Sequence, residues 1–119
     1  KQIPIYGKGD NVRDWLYVQD HCKAINLVMK KGRIGETYNI GGGTEVSNLD
    51  LAKGILKILD KPESLISFVT DRLGHDKRYS INCDKIKNEL GYIPDYNITK
   101  GLLSTIEWIK KWQQDKNIT

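Results

Sequence analysis

The chain has 119 residues, enough for one small domain around one core, and its 39% hydrophobic content excludes compositional disorder. No apolar run approaches the roughly 20 residues that a membrane-spanning helix needs. A net charge of +4 and an isoelectric point near 9.0 suit an anionic partner: nucleic acid, an acidic membrane surface or a phosphorylated metabolite. The lysines scatter, however, and the pairs Lys30-Lys31 and Lys110-Lys111 fall near expected helix C-termini, where cations suit the dipole. The chain opens on Lys1 rather than Met and enters a strand-like stretch almost at once. It therefore reads as one domain, residues 1–119, cut from a longer protein, which leaves the question of a signal peptide open.

In chain order, Ile3 to Tyr6 predicts a short strand that ends in the turn cluster Gly7-Lys8-Gly9-Asp10-Asn11. Arg13 to Val18 predicts a second strand, with Trp15 and Tyr17 on one face. Residues 19–31 predict a helix with Ala24, Leu27 and Val28 as its apolar stripe and Gly32 as its C-terminal cap. Thr37 to Ile40 reads as a strand feeding Gly41-Gly42-Gly43. A helix follows, capped by Ser47 with Asp50 three residues on, its stripe being Leu51, Ile55 and Leu59 with Ala52 and Ile58 beside it. Leu65 to Val69 predicts a strand and Arg78 to Ile81 an extended piece. Asp84 caps a short helix closing on Gly91, and after Pro94 a last helix runs over 99–115. Its predicted buried stripe is Leu102, Leu103, Ile106 and Ile109, with Trp108 and Trp112 packing beside it. The strands are too few and short for a complete doubly wound sheet.

Two motifs imitate catalytic machinery. Gly41-Gly42-Gly43 lies between a strand and a helix but lacks both the third glycine of a dinucleotide loop and its acidic ribose partner. Tyr96 and Lys100 match the Y-x-x-x-K spacing that puts an acid and its activating lysine on one helix face. With Pro94 upstream and the cap-type residues Asn97 and Thr99 nearby, Tyr96 falls before the helix and the match is accidental. Cys22 and Cys83 lack metal or redox spacing and read as reduced thiols of a cytoplasmic protein.

The informative strings are Arg13-Asp-Trp-Leu-Tyr-Val-Gln-Asp-His21 and Asp71-Arg-Leu-Gly-His-Asp-Lys-Arg78. Strand-to-loop segments this polar seldom build core. Their arginines suit either bidentate phosphate recognition or a surface ion pair with a neighbouring aspartate such as Asp14 or Asp71. Asn48 falls in the first turn of the helix capped by Ser47, where bare N–H groups attract anions, although simple capping explains such residues as well.

These strings, with Pro4-Ile-Tyr-Gly7, Gly35-Glu-Thr-Tyr-Asn-Ile-Gly-Gly42, Asn48-Leu-Asp50 and Leu90-Gly-Tyr92 followed by Pro94, closely resemble the C-terminal third of the dTDP-glucose 4,6-dehydratase family. That family lies among the extended short-chain dehydrogenase/reductases of sugar-nucleotide metabolism. The resemblance implies an α/β fold: the C-terminal, substrate-binding part of an NAD(P)-binding Rossmann-type enzyme, with the Rossmann core itself largely missing. It implies that Pro4 and Tyr6 lie against the base of a dTDP-sugar, that Arg13 and Arg72 hold its diphosphate, and that Asn48 and His75 stand nearby. Leu73 departs from the proline usual in the family, which affects the rigidity of the loop carrying His75. The resemblance also implies that NAD, the catalytic residues and the dimer helices belong to the absent N-terminal part. This chain alone is thus expected to bind no NAD, to hold no metal, to be inactive, and, with apolar surface left exposed, to self-associate or be partly disordered. A UDP-sugar decarboxylase or 4-epimerase is the related alternative. A non-catalytic basic module is the alternative of another class, and the lack of an aromatic-basic repeat speaks against nucleic acid as its ligand.

Overall fold

The computed structural model describes residues 1–116. The elements are β1 (Ile3–Tyr6), β2 (Val12–Asp14), α1 (Val18–Lys31), β3 (Glu45–Ser47), α2 (Asn48–Ile58), β4 (Ile66–Val69), α3 (Asp84–Leu90) and α4 (Ile98–Lys116), with a single 3-10 turn at Glu63–Leu65. Two separate two-stranded sheets form. In one, β1 and β4 run parallel with Ile3 opposite Ile66 and Tyr6 opposite Val69. In the other, β2 and β3 run antiparallel with Val12 opposite Ser47. Period-2 alternation turns Ile5 inward and leaves Pro4 and Tyr6 together on the exposed face of β1.

Local signals set several boundaries. Ser47 Oγ accepts a hydrogen bond from the Asp50 amide at 3.0 Å, the cap expected for α2 and worth about 1 kcal/mol. Helix α3 closes on Gly91, whose φ of 72° places it in the left-handed region. Its start differs from expectation: Asp84 is the first helical residue, and Asn82 Oδ1 takes its amide at 2.7 Å. The Asn97 side chain accepts the Lys100 amide at 2.9 Å, so α4 begins after Tyr96, as the sequence implies.

Several expected elements are shorter, shifted or missing. The strand foreseen over Arg13 to Val18 stops at Asp14, because α1 already begins at Val18. Thr37 to Ile40 pairs with no strand among the described residues. The piece at Arg78 to Ile81 contributes one parallel bridge, between Arg78 and Val12. Helix α2 buries Ala52 and Leu56, one position round from the stripe read off the sequence. The α4 stripe is largely open: Gly101 is its buried residue, Leu103 and Ile109 are exposed, and Trp108 keeps 63% of its surface accessible. Trp108 and Trp112 stack on each other, centroids 6.1 Å apart.

The main core joins Ala24 of α1, Ile86 of α3 and Tyr92, with Leu27, Val28, Tyr38 and Ile40 against them. Asp20 is buried with this core. Its carboxylate accepts the amides of Asp95 and Tyr96, each at 3.0 Å, and so ties the entry of α4 to α1. Burial pushes the Tyr92 phenol up to about 12. Both cysteines are free thiols, and burial raises that of Cys83.

Candidate functional site

Arg13 and the 71–79 loop meet at one backbone carbonyl. The oxygen of Asp76 accepts from Arg13 Nη2 at 2.9 Å and from Asn11 Nδ2 at 3.1 Å. Arg13 Nη1 donates to the Val12 carbonyl at 2.7 Å, and the guanidinium lies over the Tyr79 ring, 4.6 Å from its centroid. The Tyr79 hydroxyl donates to the Asp76 carboxylate, and that bond is the main reason its pKa is raised. Backbone bonds from Val12 N to Lys77 O (2.9 Å) and from Tyr79 N to Val12 O (3.1 Å) lace the loop to β2. A cavity of about 220 Å³ opens beside this group, lined by Arg13, Asp14, Gly41, Tyr79 and Ser80 among others.

At the other end of the loop, Asp71 organises two groups. Its Oδ1 accepts from the Arg72 amide at 2.8 Å and pairs with His75 Nδ1 at 2.7 Å. The His75 bond is the chief cause of a lowered Asp71 pKa. His75 packs edge-on to Tyr6, centroids 6.4 Å apart, and the Arg72 guanidinium sits 5.7 Å from the Tyr6 centroid. Gly7, at φ 56°, makes the arrangement possible: a Cβ there would lie 2.7 Å from Asp71 Oδ2. Tyr6, Arg72 and His75 therefore form one cluster, and Pro4 shares the exposed strand face with Tyr6.

The arginines divide between the two roles that sequence left open. Arg78 makes the surface ion pair, a fork on Glu45 with contacts of 2.7–3.0 Å. Arg13 and Arg72 make no ion pair among the described residues, so neither is neutralised by Asp14 or Asp71 in a salt bridge. Arg13 commits two of the five N–H donors of a guanidinium, and Arg72 has only its ring contact.

Asn48 requires a correction. The first N–H groups of α2 are not bare: Asn48 N donates to the Asn11 carbonyl (3.0 Å), Leu49 N to Gly9 O (2.9 Å) and Asp50 N to Ser47 Oγ. The backbone amides at this end of α2 therefore offer no bare anion site. Close approach explains the contact with Gly9, where a Cβ would fall 2.6 Å from Ile5 Cγ2 and 3.0 Å from Leu49 Cβ.

Both decoys are structural. Asp14 fills the glycine loop with its own carboxylate, accepting from Gly42 N at 3.2 Å and Thr44 N at 3.0 Å. A dinucleotide diphosphate would compete with that carboxylate for the same amides, so the loop does not fit NAD. Lys100 lies over the Tyr96 ring at 4.3 Å, and the Tyr96 ring packs on Tyr17 at 4.4 Å. Sequence reasoning missed Asn11, Asp71 and Tyr79 as organisers. The available signal was a side chain with two N–H donors at Asn11, inside a segment read only as a turn.

A family model described as GDP-mannose 4,6 dehydratase matches residues 1–105. The chain belongs to the GDP-mannose 4,6 dehydratase family. Among curated members, dTDP-glucose 4,6-dehydratase of Xanthomonas campestris pv. campestris is 49% identical over 115 residues, covering 89% of this chain and 33% of the relative. The enzyme of that name from Actinoplanes sp. is 50% identical over 108 residues, covering 91% and 34%. The crystal structure of dTDP-glucose 4,6-dehydratase from Bacillus anthracis in complex with NAD superposes with a TM-score of 0.88 at 50% identity, over 93% of this chain and 35% of that one. UDP-glucose 4-epimerase of Thermotoga maritima, solved with UDP-glucose, superposes equally well (TM-score 0.88) at 30% identity, over 95% and 36%. The chain thus spans about a third of the length of the family members it matches. Its α/β fold is a partial one within the extended short-chain dehydrogenase/reductase architecture, as the resemblance implies.

Proposed function

We propose that this chain is the substrate-holding portion of a dTDP-glucose 4,6-dehydratase, which removes water from dTDP-glucose to give the 4-keto-6-deoxy sugar nucleotide. The observation that carries the reading is the pair of arginines without carboxylate partners: Arg13 on β2, bonded to one end of the 71–79 loop, and Arg72 at the other end, beside His75 and Tyr6. Two such guanidiniums suit a diphosphate, because each offers planar paired donors to phosphate oxygens. Tyr6 and Pro4, on an exposed strand face next to Arg72, offer a flat surface for the base. Asn48 approaches by its side chain.

The rest of the reaction belongs to other residues of the intact enzyme. NAD supplies hydride removal and return there; the glycine loop of this chain is filled by Asp14, and Tyr96 lacks the helical setting of an acid–base pair. The chain accordingly binds and orients, and it carries out no chemical step. Identity near 50% with dehydratases, against 30% with the 4-epimerase on the same fold, supports dTDP-glucose over a UDP-sugar. We place the enzyme in the cytoplasm, and among the described residues no helix is long and apolar enough to cross a membrane.

Calorimetric titration of the intact enzyme with dTDP and with UDP tests this. Arg72→Ala is expected to cost about 1.5–3 kcal/mol of dTDP affinity, the loss of hydrogen bonds to a charged partner. Unchanged dTDP affinity, or preference for UDP, rejects the assignment.

A further inference from the structure

We infer that Asn11 is the positioning residue that holds the three segments of the diphosphate site in register. The inference rests on the reading of that site given above and adds a residue outside the proposed ligand-holding side chains. Asn11 is only 4% exposed and, with Asp20, is one of two buried polar residues among the described ones. Its amide nitrogen donates to the Asp76 carbonyl at 3.1 Å, the same oxygen that receives Arg13 Nη2. Its own carbonyl accepts the amide of Asn48 at 3.0 Å. By the chain itself it is two residues from Arg13. One side chain and one peptide thus connect β2, the N-terminus of α2 and the loop that carries Arg72 and His75.

The chemistry explains why asparagine stands there. The position needs a neutral N–H donor of short reach, buried against a carbonyl oxygen. Aspartate would set a negative oxygen against that carbonyl, and an apolar residue would leave the Asn11 share of the Asp76 oxygen unfilled. Backbone bonds from Val12 to Lys77 and from Tyr79 to Val12 keep the loop attached without Asn11. Its loss therefore shifts the loop rather than unfolding it. Ligand binding and the geometry of Arg72 and His75 then fail together.

The test uses the intact enzyme with Asn11→Ala, and with Asn11→Ser should the alanine variant not fold. The expected result is about a tenfold rise in KM and in the Kd for dTDP with kcat within about twofold, since the diphosphate contacts are shared by ground and transition states. Combined with Arg72→Ala, the loss is expected to be smaller than the product of the two single losses, because both changes disable the same loop. A folded Asn11 variant with dTDP affinity within about twofold of the parent, or strictly multiplicative losses, overturns the inference. If Arg72→Ala itself leaves dTDP affinity unchanged, the site assignment falls. If Arg72→Ala weakens binding and Asn11→Ala does not, only the role of Asn11 falls.

Discussion

The polar cluster around the 71–79 loop and helix α4 are built on opposite terms. In the cluster, nearly every group that matters finds its partner nearby: Asp76 with Asn11, Arg13 and Tyr79, Asp71 with Arg72 and His75, Asp14 with the glycine loop. Helix α4 leaves large apolar side chains open, with Leu103, Trp108, Ile109 and Trp112 all exposed. The difference teaches which parts of this sequence carry complete instructions. Hydrogen-bonded geometry is specified within the chain, whereas the apolar face of α4 is left open by the described residues.

The sharpest way to break the contrast is at Asp20, the buried carboxylate that fastens the entry of α4. Asp20→Ala strands the amides of Asp95 and Tyr96 and should cost about 3 kcal/mol in urea unfolding while leaving dTDP affinity unchanged. A loss of dTDP binding in that variant would show that the two regions are not independent. The Tyr92 phenol gives the next largest effect. Its folded-state pKa is raised, so its stability is fully present below the unfolded value near 10.0 and is lost as pH rises toward about 12. That loss amounts to roughly 2–3 kcal/mol, and Tyr92→Phe should abolish this part of the alkaline fall in unfolding titrations. Gly7→Ala forces a Cβ onto Asp71 in left-handed backbone. It should cost about 1–2 kcal/mol of stability and weaken dTDP binding as well, a paired readout by melting and calorimetry. The smallest change in stability, within about 0.5 kcal/mol, belongs to Trp108→Gln, since that side chain is exposed. The same variant, made together with Trp112→Gln, should move the 119-residue chain from self-associated to monomeric in sedimentation; unchanged association would discard α4 as the sticky face.

The same divide governs what the sequence revealed. Ser47, Gly91 and Asn97 act on their own few residues, so their caps were legible from residue type and spacing. The Tyr96 and Lys100 decoy was legible for the same reason. The α4 stripe was not, because periodicity identifies an apolar face but says nothing of whether a partner covers it. The shift of the buried line in α2 to Ala52 and Leu56 depends on which side meets β1, a tertiary fact. For the site, residue types flagged the arginines of the two polar strings, and the resemblance alone narrowed them to Arg13 and Arg72 and added His75. The engagement of the Asn48 and Leu49 amides by Asn11 and Gly9 depends on loop packing that no local pattern encodes.

Arg13 and Arg72 also differ in how much motion each must surrender to a ligand. Arg13 is already held by two carbonyls and an aromatic ring, and it keeps three donors of its fork for a newcomer. Arg72 has one ring contact, so it retains more rotamer freedom before binding and gives up more on binding. On the proposed reading, a diphosphate would find one fixed anchor and one moving arm. The entropy of capture would then fall mostly on Arg72, and a rigid substitute for it would tighten binding without adding a single contact.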